Sequence, residues 1–308
     1  MGTERLDGYS GYLSAKRTVD DRSINRHVLD RLSIELEKVQ GRPLHIVEIG
    51  AGLGTMVARM VDLKMVTQAE YLLLDVNPSL LREARSWLAG WADSRRLTAI
   101  GVDESLKIRG KAGVELTIRF VACELGDFVA RTPPPTRADL LIASAFLDLV
   151  DVARLLPRMF TLIVPDGLYF FAVNFDGETI FEPEHPDDAP LLRAYHRSMD
   201  QRIRYGRQAG DSHCGRHLFG HLRTAGASIL AAGASDWVVH PQGAGYIDEE
   251  AHFLRSIVAT IGDELRRQPD VSTEILDNWL ANRRQQIDRA ELVYIAHQLD
   301  FVGRRGPE

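Results

Sequence analysis

Short apolar runs alternate with stretches whose apolar residues recur at helical spacing. Together they predict an α/β chain with a mostly parallel, doubly wound sheet covered by helices on both faces. The runs at 45–49, 71–74, 116–121, 138–145 and 168–173 read as five strands. A sixth is expected around 228–232, continuing at 236–240, and a last one at 292–302. After the second run, Pro78 opens a helix at a position where a missing N–H costs nothing, and Leu80, Leu81 and Ala84 give it an inward face. Residues 151–160 and 215–224 also read as helices, Pro133-Pro134-Pro135 breaks the chain before the fourth strand, and Pro165-Asp166-Gly167 turns it into the fifth. The charged stretch from Asp93 through Lys111 reads as a surface loop without an assigned role.

Three segments are extra to that scaffold. In residues 20–39, Ile24, Val28, Leu32, Leu36 and Val39 make one amphipathic helix, which either packs on the sheet edge or closes over a pocket. Residues 186–207 carry Leu191, Leu192, Tyr195 and Met199, and residues 248–290 are helical with Phe253, Leu254, Ile257, Trp279 and Leu280. Both inserts start beyond the carboxyl edge of a parallel strand, where open α/β sheets bind ligands, so they are expected to wall a substrate pocket. A contact between copies of the chain is the other use for residues 248–290. The expected organisation is a single domain: a helical segment at 1–40, a cofactor-binding core at 41–182, a lid at 183–212, the rest of the sheet at 213–245 and 291–304, and the helical insert at 246–290.

The most specific chemistry lies at Val47-Glu48-Ile49-Gly50-Ala51-Gly52-Leu53-Gly54-Thr55. Glycines at every second position let a strand turn into a helix while the backbone comes within contact distance of a ligand. A dinucleotide fingerprint puts its third glycine five positions after the first, and Thr55 stands there instead. Glu48 would repel a pyrophosphate and attract a cationic amino group. S-adenosylmethionine carries that group and no phosphate. A nicotinamide oxidoreductase is disfavoured on the same ground.

This run resembles the first motif of the class I, Rossmann-like methyltransferases that use S-adenosylmethionine. The resemblance implies a seven-stranded sheet whose last strand is antiparallel and lies at the sheet's end, with helical inserts capping the carboxyl edge. It implies that Glu48, Gly50, Ala51, Gly52 and Gly54 hold the cofactor at the first turn, and that Asp75, followed by Val76 and Asn77, accepts from both ribose hydroxyls. At the third strand the family shows Gly-Asp-Ala with the acid on the adenine amino group. Here Cys123-Glu124-Leu125 stands in that place, leaving Glu124 and Asp127 as competing acceptors beside Leu125. Ser144 ends the fourth strand on the same edge.

Methyl transfer needs an acceptor nucleophile in line with the methyl carbon, and a hydroxyl acceptor needs a base as well. Asp148 is delivered to this edge, either as general base or acceptor-orienting group, or as the cap of the next helix. Candidate acceptor-binding residues are Asn174, Tyr195, His213 and Arg216, the last following Gly215 as in small-molecule members of the resembled family. Arg216 reads equally as an anion receptor or as a surface helix charge. The Asn/Asp-Pro-Pro-aromatic run of the nucleic-acid amine enzymes of this fold is absent after the fourth strand. His213, His217 and His221 recur every fourth residue, but helical rise spreads the outer two over about 12 Å, too far for one ion, so no metal is expected.

Composition narrows the setting. The chain has 308 residues, 45% hydrophobic and 26% charged, with net charge −6, so nothing favours phosphate backbones or anionic membranes. No nucleic acid and no membrane partner is expected. Two cysteines without metal spacing, no export-type apolar start and no apolar run of about 20 residues point to the cytoplasm. Arginine far outnumbers lysine, as in GC-rich bacteria. The expected function is methyl transfer from S-adenosylmethionine to oxygen or nitrogen of a small molecule, by a chain that could form homo-oligomers. The alternative is a regulatory or assembly protein that binds the cofactor without turnover.

Overall fold

The computed structural model describes residues 3–39, 41–130, 137–204 and 206–306; the Pro133-Pro134-Pro135 breaker lies outside the described residues. Two helices, α1 (Thr3–Ser23) and α2 (Arg26–Glu37), lead into β1 (Leu44–Ile49), α3 (Thr55–Asp62), β2 (Gln68–Asp75) and α4 (Pro78–Ser94). The hairpin β3 (Thr98–Val102) and β4 (Ser105–Arg109) precedes β5 (Glu115–Ala122), α5 (Leu125–Val129), β6 (Ala138–Ser144), α6 (Val152–Phe160) and β7 (Ile163–Glu182). Then follow α7 (Asp188–Asp200), the short pair β8 (Ile203–Arg204) and β9 (Arg207–Gln208), α8 (Cys214–Thr224), β10 (Ser228–Ala234) and β11 (Trp237–Val239). The chain closes with α9 (Glu250–Leu265), α10 (Thr273–Asp288) and β12 (Val293–Arg304).

The main sheet has the order β10-β12-β7-β6-β1-β2-β5-β4-β3. From β5 through β7 all neighbours are parallel. β12 is antiparallel to both β7 and β10, so the last strand of the chain slots between them and β10 forms the outer edge. The arrangement is Rossmann-like with an antiparallel last strand as expected, but among the described residues the sheet has ten strands where seven were expected, and that last strand lies one in from the edge because β10 pairs outside it. The chain passes from β1 to β2 on one side and returns to β6 on the other, which puts the switch point, and the crevice where such sheets bind ligands, beyond Ile49 and Ser144.

The parallel strands are buried on both faces. Ile46, Tyr71, Leu73, Leu140 and Ile142 pack under α2, α3 and α4, while Val47, Ile49, Leu72, Leu141 and Ala143 pack on α5, α6 and α8. Fully burying each large apolar side chain contributes roughly 1.5–3 kcal/mol, so the central sheet is the rigid part on which the site is built.

Three expectations on elements are corrected. The stretch 93–111 is largely a hairpin and not a loop. Leu106 and Ile108 alternate inward against polar neighbours, and Asp103, in the left-handed region at φ 49°, makes the two-residue turn that lets β4 pair with β5. The single helix expected over 20–39 is broken at Asn25, whose extended backbone (φ −64°, ψ 118°) stops α1 while its side chain accepts from the Val28 N–H at 3.1 Å to cap α2. The fifth strand does not end at Val173. β7 bends there and continues to Glu182, paired with β12 throughout.

That bend rests on an unusual residue. Val173 has φ 58°, a conformation that costs a β-branched residue on the order of 1–3 kcal/mol. Its N–H donates to Asp300 Oδ1 at 2.6 Å, and the same carboxylate accepts from Ser235 Oγ at 2.6 Å and from the Asn25 N–H at 2.7 Å. Asp300 thus holds the β7 bend, β12 and the start of α2 together.

The extension of β7 carries the helical inserts. Arg283 of α10 is fully buried, pairs through Nη2 with Asp188 Oδ2 of α7, and donates to the Pro183 carbonyl at 2.8 Å. Trp279 Nε1 donates to the other Asp188 oxygen at 2.7 Å. α1 is fastened by Arg22 on buried Glu250 of α9 and by a buried Lys16–Asp20 pair that receives the Trp237 indole N–H at 2.9 Å. No described helix is long and apolar enough to cross a membrane.

Candidate functional site

β1 ends at Ile49 and α3 begins at Thr55, and the loop between them has Gly50, Gly52 and Gly54 at φ 65°, 55° and 70°. Each is in the left-handed region that a side chain resists. The three differ in use. A Cβ on Gly54 would lie 2.9 Å from Leu73 and 3.1 Å from Leu88, so this glycine lets α3 and α4 close on the sheet. A Cβ on Gly50 would strike Phe146 at 2.4 Å, and one on Gly52 would touch Leu13 of α1 at 3.3 Å. Ala51, buried, donates its N–H to the Leu74 carbonyl at 3.1 Å, tying the loop to β2.

Asp75, at the end of β2, accepts from the Gly52 N–H on one oxygen (3.0 Å) and from the Asn77 N–H on the other (2.9 Å). Each carboxylate oxygen accepts two hydrogen bonds, so each keeps a lone pair for a diol. Asn77 caps α4 through Ser79 and Leu80 N–H groups at 3.0 and 3.2 Å. Val76, between them, is 63% exposed, an aliphatic side chain presented at the rim of the crevice.

Glu48 is buried in β1 and accepts from the Tyr71 hydroxyl at 3.0 Å. Burial pushes its carboxyl group up to about 8, against the Tyr71 bond and the Arg59 charge, with Asp75 adding to the rise. Arg59 of α3, also buried, reaches Asp21 of α1 at 2.7 Å. Across the crevice, Glu124 caps α5 by accepting from the Asp127 N–H at 3.2 Å, with buried Leu125 beside it and Asp127 exposed in the first turn. Ser144 is half-buried at the end of β6.

Asp148 sits in a short 3-10 turn after β6, over residues Leu147–Leu149. Its Oδ1 is buried with no hydrogen-bond partner among the described residues. Burial raises this carboxyl group to about 6, against its own main-chain N–H and the charges of Arg202 and Lys16, with Asp211 adding to the rise. It does not cap the next helix, because Asp151 does that by accepting from the Arg154 N–H at 3.2 Å. Tyr195 lies within reach of the same charges; burial raises its hydroxyl to about 12, with Arg202 opposing and Asp148 and Glu264 adding.

The other acceptor candidates have partners within the protein, although the buried Asn174 Oδ1 has none among the described residues. Asn174 is fully buried inside the long β7, its amide N–H groups on the carbonyls of Phe171 and Leu299 at 3.0 and 2.8 Å. Arg216 is clamped on Asp176, its main-chain N–H at 2.7 Å and its Nε at 3.0 Å from Oδ1, with Nη2 on the Asp176 carbonyl at 2.8 Å. His213 starts α8 with Nδ1 3.0 Å from Ser212 Oγ. His217 Nδ1 is 2.7 Å from Asp211 Oδ2. No group of three or more His, Cys, Asp or Glu side chains is arranged around a common metal position among the described residues.

A ligand with a ribose, an adenine and an ammonium finds suitable groups here: two free lone pairs on Asp75, an exposed apolar Val76, a buried carboxyl at Glu48, and a left-handed glycine loop whose Gly50 and Gly52 lie against Phe146 and Leu13. These fit S-adenosylmethionine. α1 provides the cover, with Leu13 over Gly52, while α2 packs against β10 and β12 at the sheet edge. The two uses considered for the N-terminal helix are thus divided between two helices. Sequence reasoning missed Arg202, Lys16, Tyr71 and Arg59. None stands in a motif, and only the parity of Tyr71 with Leu73 along β2 hinted at its side of the sheet.

No family model and no curated protein matches the chain. Among solved structures it is similar to a cyclopropane-fatty-acyl-phospholipid synthase-like protein from Lactobacillus casei, at 15% identity over 94% of this chain and 98% of that one, with TM-score 0.47. It is also similar to geranyl diphosphate C-methyltransferase from Streptomyces coelicolor, at 10% identity over 89% and 79%, with TM-score 0.41. Similarities at this level carry no information on what this chain binds or turns over.

Proposed function

We propose that this chain transfers a methyl group from S-adenosylmethionine to oxygen or nitrogen of a small molecule by direct displacement. The observation that carries the reading is the joined unit of left-handed glycines and Asp75 at the switch point of the sheet. The bound cofactor would supply an electrophilic methyl carbon on a sulfonium. Asp75 would accept from the ribose hydroxyls, Glu48 would face the ammonium, and Val76, Asn77 and Leu125 would line the nucleoside, with Glu124 or Asp127 on the adenine amino group. Asp148 would take the acceptor's proton as the nucleophile attacks, an unpartnered buried carboxylate oxygen being the group such a step needs. α1 and the inserts at 183–212 and 246–290 would exclude water and hold the acceptor, with Tyr195 among the groups that the Asp148 charge reaches.

The unpartnered Asp148 oxygen also favours turnover over the reading in which the protein only binds the cofactor. No nucleic acid is part of the proposal, which places the reaction in the cytoplasm; self-association through α9 and α10 is the other use of that surface. Titration calorimetry with S-adenosylmethionine, S-adenosylhomocysteine and a nicotinamide dinucleotide tests the cofactor. Binding of the first two without the third is expected, and tight dinucleotide binding with no response to S-adenosylmethionine sinks the proposal. Release of S-adenosylhomocysteine in the presence of small acceptors separates turnover from binding alone.

A further inference from the structure

We infer that Arg202 is the anion receptor of the acceptor site, so that the acceptor is a small carboxylic acid that also bears the hydroxyl or amine to be methylated. This assignment rests on the methyltransferase reading and adds the substrate class to it.

Arg202 follows α7 in a strap that comes back to the site. Its N–H donates to the Met199 carbonyl at 3.2 Å, and its carbonyl accepts from the Ala209 N–H at 2.8 Å. Gly210, at φ 132°, lets the strap close: a Cβ there would lie 2.5 Å from the Met199 carbonyl oxygen and 3.4 Å from the Arg202 Cβ. The next residue, Asp211, donates its N–H to the Asp148 carbonyl at 3.2 Å. Arg202 and Asp148 are therefore fastened to residues 209 and 211 of one strap.

Neither side chain pairs with another side chain among the described residues. Arg202 is half-buried, and its guanidinium makes no hydrogen bond or ion pair among the described residues, while Asp148 Oδ1 is buried and unpartnered. Their charges act on each other and on the Tyr195 hydroxyl, yet they do not pair. A buried carboxylate oxygen without a partner is costly, and the half-buried guanidinium fastened to the same strap stays open to a ligand. A ligand offering an N–H or O–H to Asp148 and an anion to Arg202 satisfies both.

Of the other cations here, Lys16 pairs with Asp20 at 2.5 Å, Arg216 pairs with Asp176, and Arg204 and Arg207 of the strap are exposed. One free guanidinium matches one negative charge in fork geometry. A phosphate dianion would meet Asp148, Asp211 and Glu264 with a single cation to offset it, so the carboxylate is the fitting anion.

The test is phenylglyoxal labelling of the full chain saturated with S-adenosylhomocysteine, read peptide by peptide by mass spectrometry, with benzoate, benzyl alcohol or inorganic phosphate as competitor. Benzoate at low millimolar concentration is expected to slow labelling of Arg202 at least about fivefold, leaving the exposed Arg204 and Arg207 unchanged, and benzyl alcohol is expected to do nothing. Failure of Arg202 to label, equal slowing of all three arginines, or better protection by phosphate overturns the inference. Calorimetry with S-adenosylhomocysteine on the same protein keeps the two readings apart. Absent binding sinks the cofactor assignment, whereas intact binding without benzoate protection sinks the role of Arg202 alone. Arg202→Ala and Arg202→Lys should both bind S-adenosylhomocysteine within about twofold of the parent, and only the lysine variant should keep part of the benzoate affinity.

Discussion

The Gly52 N–H donates to Asp75 Oδ2 at 3.0 Å, which joins the second glycine of the loop to the acid that ends β2. Loop and acid are set relative to each other by the protein itself, so a ligand spanning them meets a preformed corner. Asp75→Ala removes two charge-assisted acceptors for a diol, worth roughly 1.5–3 kcal/mol in total, or about ten- to a hundredfold in affinity for S-adenosylmethionine. It also leaves the Gly52 and Asn77 N–H groups unpaired, so the melting temperature should fall with it. Calorimetry and thermal melts on Asp75→Ala and Asp75→Asn separate the two effects. A dissociation constant unchanged in both variants rejects Asp75 as the ribose ligand.

Glu48 couples folding to protons, and on the proposed reading it couples cofactor binding to them as well. Its carboxyl group is raised from 4.5 to about 8, so the folded chain without ligand holds a proton that the unfolded chain has released. The stabilising effect of that proton is fully present below about pH 4.5 and is lost as pH rises through about 8. Glu48→Gln keeps the acceptor for Tyr71 and should flatten the decline in melting temperature between pH 5 and 9, because each tenfold difference in proton affinity between the folded and unfolded chain is worth about 1.4 kcal/mol. If the cofactor ammonium meets this carboxylate, binding at about pH 6.5 should release close to one proton in wild type and none in Glu48→Gln. Calorimetry in buffers of different ionisation enthalpy reads that number, and equal proton release by the two proteins removes Glu48 from the ammonium site.

How much of this was legible in the sequence depends on how local the signal was. Gly50, Gly52, Gly54 and Asp75 were readable because a strand-to-helix turn and a strand end dictate their residue types within a few positions. The hairpin at 98–109 was not, because its inward residues, Leu106 and Ile108, are outnumbered by charged ones that dominate the local pattern. The run of β7 past Val173 was hidden for another reason: its left-handed bend is held by Asp300, a residue 127 positions away. Arg216 was legible as a positive charge at the start of α8, but its partner Asp176 lies on β7, and only the fold shows that the charge is already answered. Arg202 has no motif at all and acquires its place from a strap closed by Gly210.

The inserts proposed to hold the acceptor hang on a buried ion pair, and this can be tested apart from catalysis. Arg283 is fully buried and Asp188 nearly so, with the Trp279 indole and the His185 N–H also bonded to that carboxylate. Arg283→Met leaves Asp188 buried without its cation and should cost about 3–5 kcal/mol in urea unfolding. The double variant Arg283→Met with Asp188→Asn should recover part of that loss, because the stranded charge is gone. Recovery of nothing, or a loss below about 1 kcal/mol in the single variant, shows that α7 and α10 are held by packing alone.

On the proposed reaction, Asp148 is expected to set the pH dependence of turnover. Its carboxyl group is raised from 3.8 to about 6 chiefly by burial, with Arg202 and Lys16 lowering it and Asp211 raising it. A general base must be unprotonated, so kcat/KM should climb through about pH 6 and level above it. Asp148→Asn should lose that limb and fall by roughly 10²–10⁴ in rate if the acceptor needs a base. In Arg202→Ala the limb should move to higher pH, since one charge that favours the carboxylate is gone. Folding stability moves in the opposite sense to activity. The proton bound by folded Asp148 stabilises the ligand-free chain below about pH 4, and this contribution is lost as pH rises through about 6, so wild type should lose stability over that window relative to Asp148→Asn. A pH–rate profile identical in wild type and Asp148→Asn, with the acceptor present and S-adenosylhomocysteine release as the readout, would leave proton transfer to another group and reduce Asp148 to a structural residue of the turn.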